Sequence, residues 1–196
     1  KICIICMKMK GITYFLNHKR HDYKFIPKET YLKIFCGHCV NFANFAVKFI
    51  NMQIKPKFGV DQLLFGMNQT DVKKIYGNPD KQFKDEDRNI IYLYNEQKIR
   101  LTFYEDEDFR LGYIIASHPE MILFDNKILG RKVSEVQKEL EKQQFKTWEK
   151  EDFDSVENHF NEDHWLILQS EYDQIIKVEI GAIIKNQDEF DWKFGP

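Results

Sequence analysis

Apolar and polar residues alternate along residues 98–104, where Ile99, Leu101 and Phe103 fall between Lys98, Arg100, Thr102 and Tyr104. A period of two places the two sets on opposite faces of an extended chain, so this run predicts a half-buried strand. Residues 89–94 (NIIYLY) and 109–117 (FRLGYIIAS) flank it and are equally rich in β-branched and aromatic side chains. The connections between them, NEQ and EDED, are too short for a parallel return. The three strands are therefore predicted to be antiparallel neighbours.

Upstream, the period lengthens. Val72, Ile75 and Tyr76 stand at i, i+3 and i+4, one apolar stripe on a short helix. Asn68 is placed to cap its first turn, Asp71 faces the positive helix end, and Gly77-Asn78-Pro79 stops it. A constant shift of 64 residues then lays Gly66 on Gly130, Asp71-Val72 on Glu135-Val136, Leu101 on Trp165, Phe103 on Ile167 and Leu111 on Ile175. This predicts a second helix over 133–143, strands near 156–160, 165–169 and 175–184, and a closing edge strand or clamp at 190–194. The expected fold class is α+β, a tandem duplication of a helix packed on an antiparallel β-meander. Residues 52–118 would form the first repeat and residues 119–196 the second.

The helix-opening stretch FGMNQTDVKKIYGNPD resembles the signature of the SmpA/OmlA small outer-membrane lipoproteins, carried by Gly66, Met67, Asp71, Val72, Gly77 and Pro79. It is similar also to the tandem modules of β-lactamase inhibitory protein. The resemblance implies helix-on-sheet modules and a binding or scaffolding role. The two-copy layout and acidic surface further resemble bacterial immunity proteins that neutralise a toxin.

Composition divides the chain. Residues 1–51 hold nine Lys/Arg against two acids, Asp22 and Glu29, leaving twenty basic against twenty-nine acidic residues in 52–196, a balance of −9. All four cysteines lie in the basic part. Two readings of residues 1–51 stand open: a Cys-containing extension, or upstream sequence before a start at Met52. Cys3, Cys6, Cys36 and Cys39 are candidate metal ligands, since two Cys-x-x-Cys pairs can close a tetrahedral zinc site. Their 29-residue spacer is longer than the usual one. Lys8 and Lys10 interrupt the apolar run that a secretory signal peptide needs. With no apolar stretch near the ~20 residues of a spanning helix, the expected location is cytoplasmic and no membrane contact is expected.

Catalytic chemistry finds no foothold in the main domain. Ser155 and Ser170 lack a nucleophile elbow, and no glycine spacing builds a phosphate loop. Neither a catalytic residue nor a cofactor is expected, and the acidic balance argues against a nucleic-acid ligand. His159 and His164 flank a turn and could meet as two metal ligands with Glu162 or Asp163. Arg100 and Arg110 are expected to pair with neighbouring acids. Acids cluster at 85–87, 105–108, 149–154 and 162–163, several in predicted turns. If these turns gather, their field would steer a basic protein partner. Tyr104, Glu105, Asp106, Glu107, Asp108 and Phe109 are the candidate partner-binding residues, with aromatic contact ringed by charge. The expected function is a non-enzymatic inhibitor or immunity protein acting inside the cell on a protein partner such as a basic toxin. The alternatives are a cell-envelope scaffold, or a zinc- or thiol-dependent protein acting through the cysteines.

Overall fold

The computed structural model describes residues 4–9, 12–17, 23–24, 52–186 and 189–195. The chain divides into two compact units, Lys1–Lys48 and Phe49–Pro196. In the first, β1 (Ile4–Met9), β2 (Ile12–Asn17) and β3 (Tyr23–Lys24) form an antiparallel sheet in that order, with Cys6 opposite Phe15. Cys3, Cys36 and Cys39 lie outside the described residues, and the expected zinc site with them.

The second unit begins with β4 (Met52–Lys55), β5 (Gly59–Val60), β6 (Leu63–Leu64) and α1 (Gln69–Tyr76). A four-strand meander follows: β7 (Lys81–Lys84), β8 (Ile90–Tyr94), β9 (Ile99–Tyr104) and β10 (Arg110–Ala116). Next come β11 (Met121–Leu123), β12 (Asn126–Lys127) and α2 (Val133–Glu141). A second meander runs through β13 (Glu149–Phe153), β14 (Val156–Asn161), β15 (Leu166–Glu171) and β16 (Gln174–Gly181). A hairpin of β17 (Ile184–Asn186) and β18 (Glu189–Phe190) closes the chain.

Helix α1 forms as its sequence dictates. The Asn68 side chain accepts from the Thr70 and Asp71 N–H groups at 2.8 and 3.1 Å, which satisfies two of the first-turn donors. Gly77 ends the helix at φ 78, a left-handed backbone that glycine adopts without strain. The Asp71 carboxylate turns to Lys74 at 3.0 Å. Helix α2 has no side-chain cap and is held by Val133, Val136 and Leu140, all buried.

The two meanders share one sheet. Its order is β13-β14-β15-β16-β10-β9-β8-β7, and β10 pairs β16 with Ile114 opposite Ile180. The register therefore lines up Tyr92, Leu101, Ile114, Ile180 and Leu166 across five strands on one face. Val72 of α1 and Val136 and Leu140 of α2 join them in a single core. Each such side chain contributes about 1.5–3 kcal/mol by leaving water. A smaller sheet, β12-β11-β4-β5-β6, also belongs to this core through Met52, Ile54, Val60, Leu63, Met121 and Leu123.

The unit is thus mostly β: among its described residues, fifteen strands in three sheets with two short helices. Antiparallel pairing dominates, and the α+β character of the composition is retained. The expected tandem duplication of helix-on-meander modules is corrected. The last strand of one half hydrogen-bonds the last strand of the other, and β4 pairs β11 in parallel. Neither half closes its own sheet. No described helix is long and apolar enough to cross a membrane.

The C-terminal segment 190–194 acts as a clamp. The Lys193 and Phe194 N–H groups both donate to the Phe65 carbonyl at 3.0 Å. They close over Gly66, where φ is 99 and a Cβ would stand 2.7 Å from the Phe194 carbonyl oxygen.

Candidate functional site

The second face of the eight-stranded sheet carries Tyr104, Tyr113, Phe160 and Trp165. Tyr104 ends β9 and its ring lies over Gly112, where an added Cβ would stand 2.1 Å from Tyr104 Cε2. The strand can accept the ring only because Gly112 has no side chain. Gly181 receives Trp165 in the same way, at 2.7 Å. Trp165 then meets Tyr113 edge-on at 5.4 Å and Phe160 at 5.3 Å. Tyr113 donates to Glu179, and Lys177 Nζ lies 3.0 Å from the same carboxylate. Burial and the Glu179 hydrogen bond together push the Tyr113 phenol above its usual range.

At the Tyr104 end of this face two turns converge. Because Ile90 pairs Phe103, the turn before β8 stands beside the turn after β9. Asp85 ties its own turn together, accepting from the Asn89 N–H at 2.9 Å and the Asn89 amide at 3.2 Å. Asn89 Oδ1 in turn accepts the Glu105 N–H at 3.0 Å, and Arg88 reaches Glu105 at 3.2 Å. Residues Glu105–Glu107 form a 3-10 turn that Asp108 leaves at φ 53. The result is an open concavity of about 620 Å³. Tyr104 and Phe190 meet at its floor, 5.7 Å apart, and Phe190 stacks on Trp192 at 4.8 Å. Glu86, Asp87, Glu105, Asp106 and Glu107 stand around it with Arg88 as the one basic lining residue. Burial pushes the Tyr104 phenol up to about 12, so it stays neutral at physiological pH.

Of the six candidate partner-binding residues, Tyr104, Glu105, Asp106 and Glu107 line this concavity. Asp108 and Phe109 do not. Phe109 packs against the core and carries Lys84 over its ring at 5.5 Å. Sequence reasoning missed Phe190, Asn89 and Arg88. The glycine inside the 109–117 run was the available signal, since a glycine in a strand marks a close approach.

The other acidic clusters are elsewhere. Residues 149–153 are strand β13 at one sheet edge, and Glu162–His164 form a 3-10 turn between β14 and β15. The two histidines do not share a ligand set. His164 stacks on Phe145 at 3.7 Å and holds Asn161 through Nδ1 at 2.9 Å. His159 Nε2 lies 3.3 Å from Ser170 Oγ and 3.4 Å from Glu157. Serine and carboxylate meet the same ring nitrogen, so this is no nucleophile–base–orienter chain. Among the described residues no group of three or more His, Cys, Asp or Glu is placed to hold a metal. Arg100 and Arg110 differ from expectation. Among the described residues neither forms an ion pair: Arg100 Nε is buried without a partner, and Arg110 lies 5.8 Å over Trp192.

Burial lowers the pKa of His159, against the pull of Glu157, and lowers that of His164, aided by Lys57. Both rings are therefore neutral in the folded chain at a pH where the unfolded chain protonates. Their contribution to stability is complete above the ordinary histidine value of 6.5 and is lost as pH falls through the window below it. Unfolding midpoints at about pH 7.5 and about pH 5.5 should show this drop. The double substitution His159→Gln/His164→Gln should flatten it, and an equal drop in both proteins would contradict the assignment.

No protein-family model matches the chain, and no curated protein matches it. Solved structures do. One is an extracellular protein containing an SCP domain from Bacillus anthracis str. Ames, at 12% identity and TM-score 0.40, covering 64% of this chain and 49% of that one. Another is a cysteine-rich secretory protein from Staphylococcus aureus subsp. aureus Mu50, at 11% identity and TM-score 0.37, covering 58% and 42%. The chain spans about half the length of the structures it matches. No family model matches, so the resemblance to small outer-membrane lipoproteins, β-lactamase inhibitory protein and immunity proteins drawn from the helix motif is not upheld. The motif residues have local structural reasons, the Asp71–Lys74 pair and the Gly77 stop among them, and need no family to explain them. Both matched structures are described as extracellular or secretory, and the expected cytoplasmic location finds no support among the comparisons.

Proposed function

We propose that the chain is a non-enzymatic protein-binding module that engages a basic surface of a protein partner and thereby occludes it. The observation that carries this reading is the concavity in which five carboxylates surround the Tyr104–Phe190 floor. A lysine or arginine entering it meets aromatic faces below and negative charge at the sides, two attractions that reinforce each other. The hydrogen bonds through Asp85, Asn89 and Glu105 hold both turns before any partner arrives, which lowers the cost of ordering them on binding. The cell-envelope scaffold alternative rested on the lipoprotein resemblance, which no family model supports.

Charge reversal tests the reading. The immobilised chain and its Glu105→Lys/Asp106→Lys/Glu107→Lys variant would each be exposed to extract and culture medium of the source cells. The expected result is a protein retained by the wild type, released by high salt and lost from the variant. Retention of the same proteins by both would overturn the proposal.

A further inference from the structure

The eight-stranded sheet ends in two edges of opposite charge. β7, KQFK, carries Lys81 and Lys84, whereas β13, EKEDF, carries Glu149, Glu151 and Asp152 against Lys150. Among the described residues neither strand has a second neighbour, and every residue of both is exposed. Each also exposes one phenylalanine, Phe83 at 45% and Phe153 at 56%. Exposed edges present unpaired N–H and C=O groups, and like charges on both would repel a second sheet. Here the charges attract.

We propose that β7 of one molecule pairs with β13 of a second copy, extending the sheet from molecule to molecule. The geometry of the sheet supports this pairing at three levels. Eight strands alternate in direction, so β7 and β13 run oppositely, and a copy placed in line meets β7 with an antiparallel β13. The faces also agree. Phe83 shares a face with Ile91, and Phe153 shares that face through the β13–β14–β15–β16 registers, while Lys84 and Asp152 share the other. One register therefore sets Phe83 against Phe153 and Lys84 against Asp152.

Hydrogen bonding selects the same register. The Asp85 N–H bonds back to Asn89, so the alternate residue Lys84 directs its backbone groups outward. On the other edge a two-residue turn joins the Phe153–Val156 pair, which leaves Asp152 facing outward. Lys84 and Asp152 then form a hydrogen-bonded pair. Phe83 and Phe153 form the neighbouring non-hydrogen-bonded pair, where side chains come closest. Lys84 must leave the Phe109 ring and Asp152 must share Lys150, both of which are solvent-exposed rearrangements. Four or five residues a side bury far less than the roughly 1,200 Å² of a stable interface, so the association is weak and concentration-dependent. The contact is heterologous, and repetition builds chains of molecules rather than a closed dimer.

Sedimentation velocity of the full chain, in reductant so that the cysteines stay free, tests this between about 10 μM and about 1 mM. The weight-average mass should rise with concentration. Lys84→Glu alone and Asp152→Lys alone should each abolish the rise, because each places like charges across the contact. Mixing the two variants should restore it, since both contacts in the mixture are again opposite in charge. A wild type that stays monomeric throughout, or association that Lys84→Glu leaves unchanged, would overturn the proposal.

Discussion

Phe103→Ala is expected to lose about 3–5 kcal/mol of stability, the cost of deleting a large buried side chain and leaving a cavity. Phe103 is fully buried, pairs Ile90 and Leu111 across its two neighbouring strands, and meets Tyr92 edge-on at 4.9 Å. The next residue is Tyr104, so loosening β9 at this point also releases the aromatic floor of the concavity. Domains of ordinary size are stable by only about 5–15 kcal/mol, and this one substitution removes a large fraction of that. Denaturant titration followed by tryptophan fluorescence measures the change. A midpoint within error of the wild type would show that the second face, not the shared core, holds this part of the sheet.

Gly112→Ala should act on the site more than on the core. The new methyl would stand 2.1 and 2.3 Å from Tyr104 Cε2 and Cδ2, closer than any packed contact, so the ring must leave its place beside Phe190. Overpacking of this kind costs about 1–3 kcal/mol, and the displaced ring opens the floor of the concavity. Partner retention is expected to fall with it. Replacing Tyr104 by leucine in the same chain removes the clashing atoms, so the pair should recover most of the stability and none of the aromatic contact. That split between stability and binding distinguishes a ring that serves the site from one that merely fills space. If Tyr104→Leu/Gly112→Ala restores binding as well, the aromatic floor has no role in it.

Much of the local structure was legible in the sequence because alternation and capping are local facts. The run through Ile99, Leu101 and Phe103 is strand β9 with those residues inward. Asn68 caps α1 as its position implies. What lies beyond a hairpin was less legible. Nothing in either run announces that Ile114 pairs Ile180, since a strand's pattern states which face is buried and not which strand sits beside it. That pairing turns an expected pair of modules into one sheet.

The candidate site was legible in part for the same reason. Tyr104 and residues 105–107 stood out as aromatic beside acidic, but Phe190 arrives from 86 residues away through a hairpin that no local signal ties to β9. Trp165 misled: matched with Leu101 by a constant shift, it was expected inward. Its φ of 47 ends a 3-10 turn, and the ring falls on Gly181 on the opposite face. β13 misled differently. EKEDF stands out in the sequence only as part of an acidic cluster, because an edge strand with both faces in water has no reason to alternate.

The proposed protein partner is expected to sit over the Tyr104–Phe190 concavity. A photo-crosslinking amino acid in place of Asp106, exposed beside the concavity, tests it most directly in the cells that make the protein. The same group in place of Ser134, exposed on α2, is the control. A discrete protein adduct is expected from position 106 that is absent from position 134 and disappears when Glu105 and Glu107 are replaced by lysine. An adduct of equal yield from both positions, or none from position 106, would contradict it.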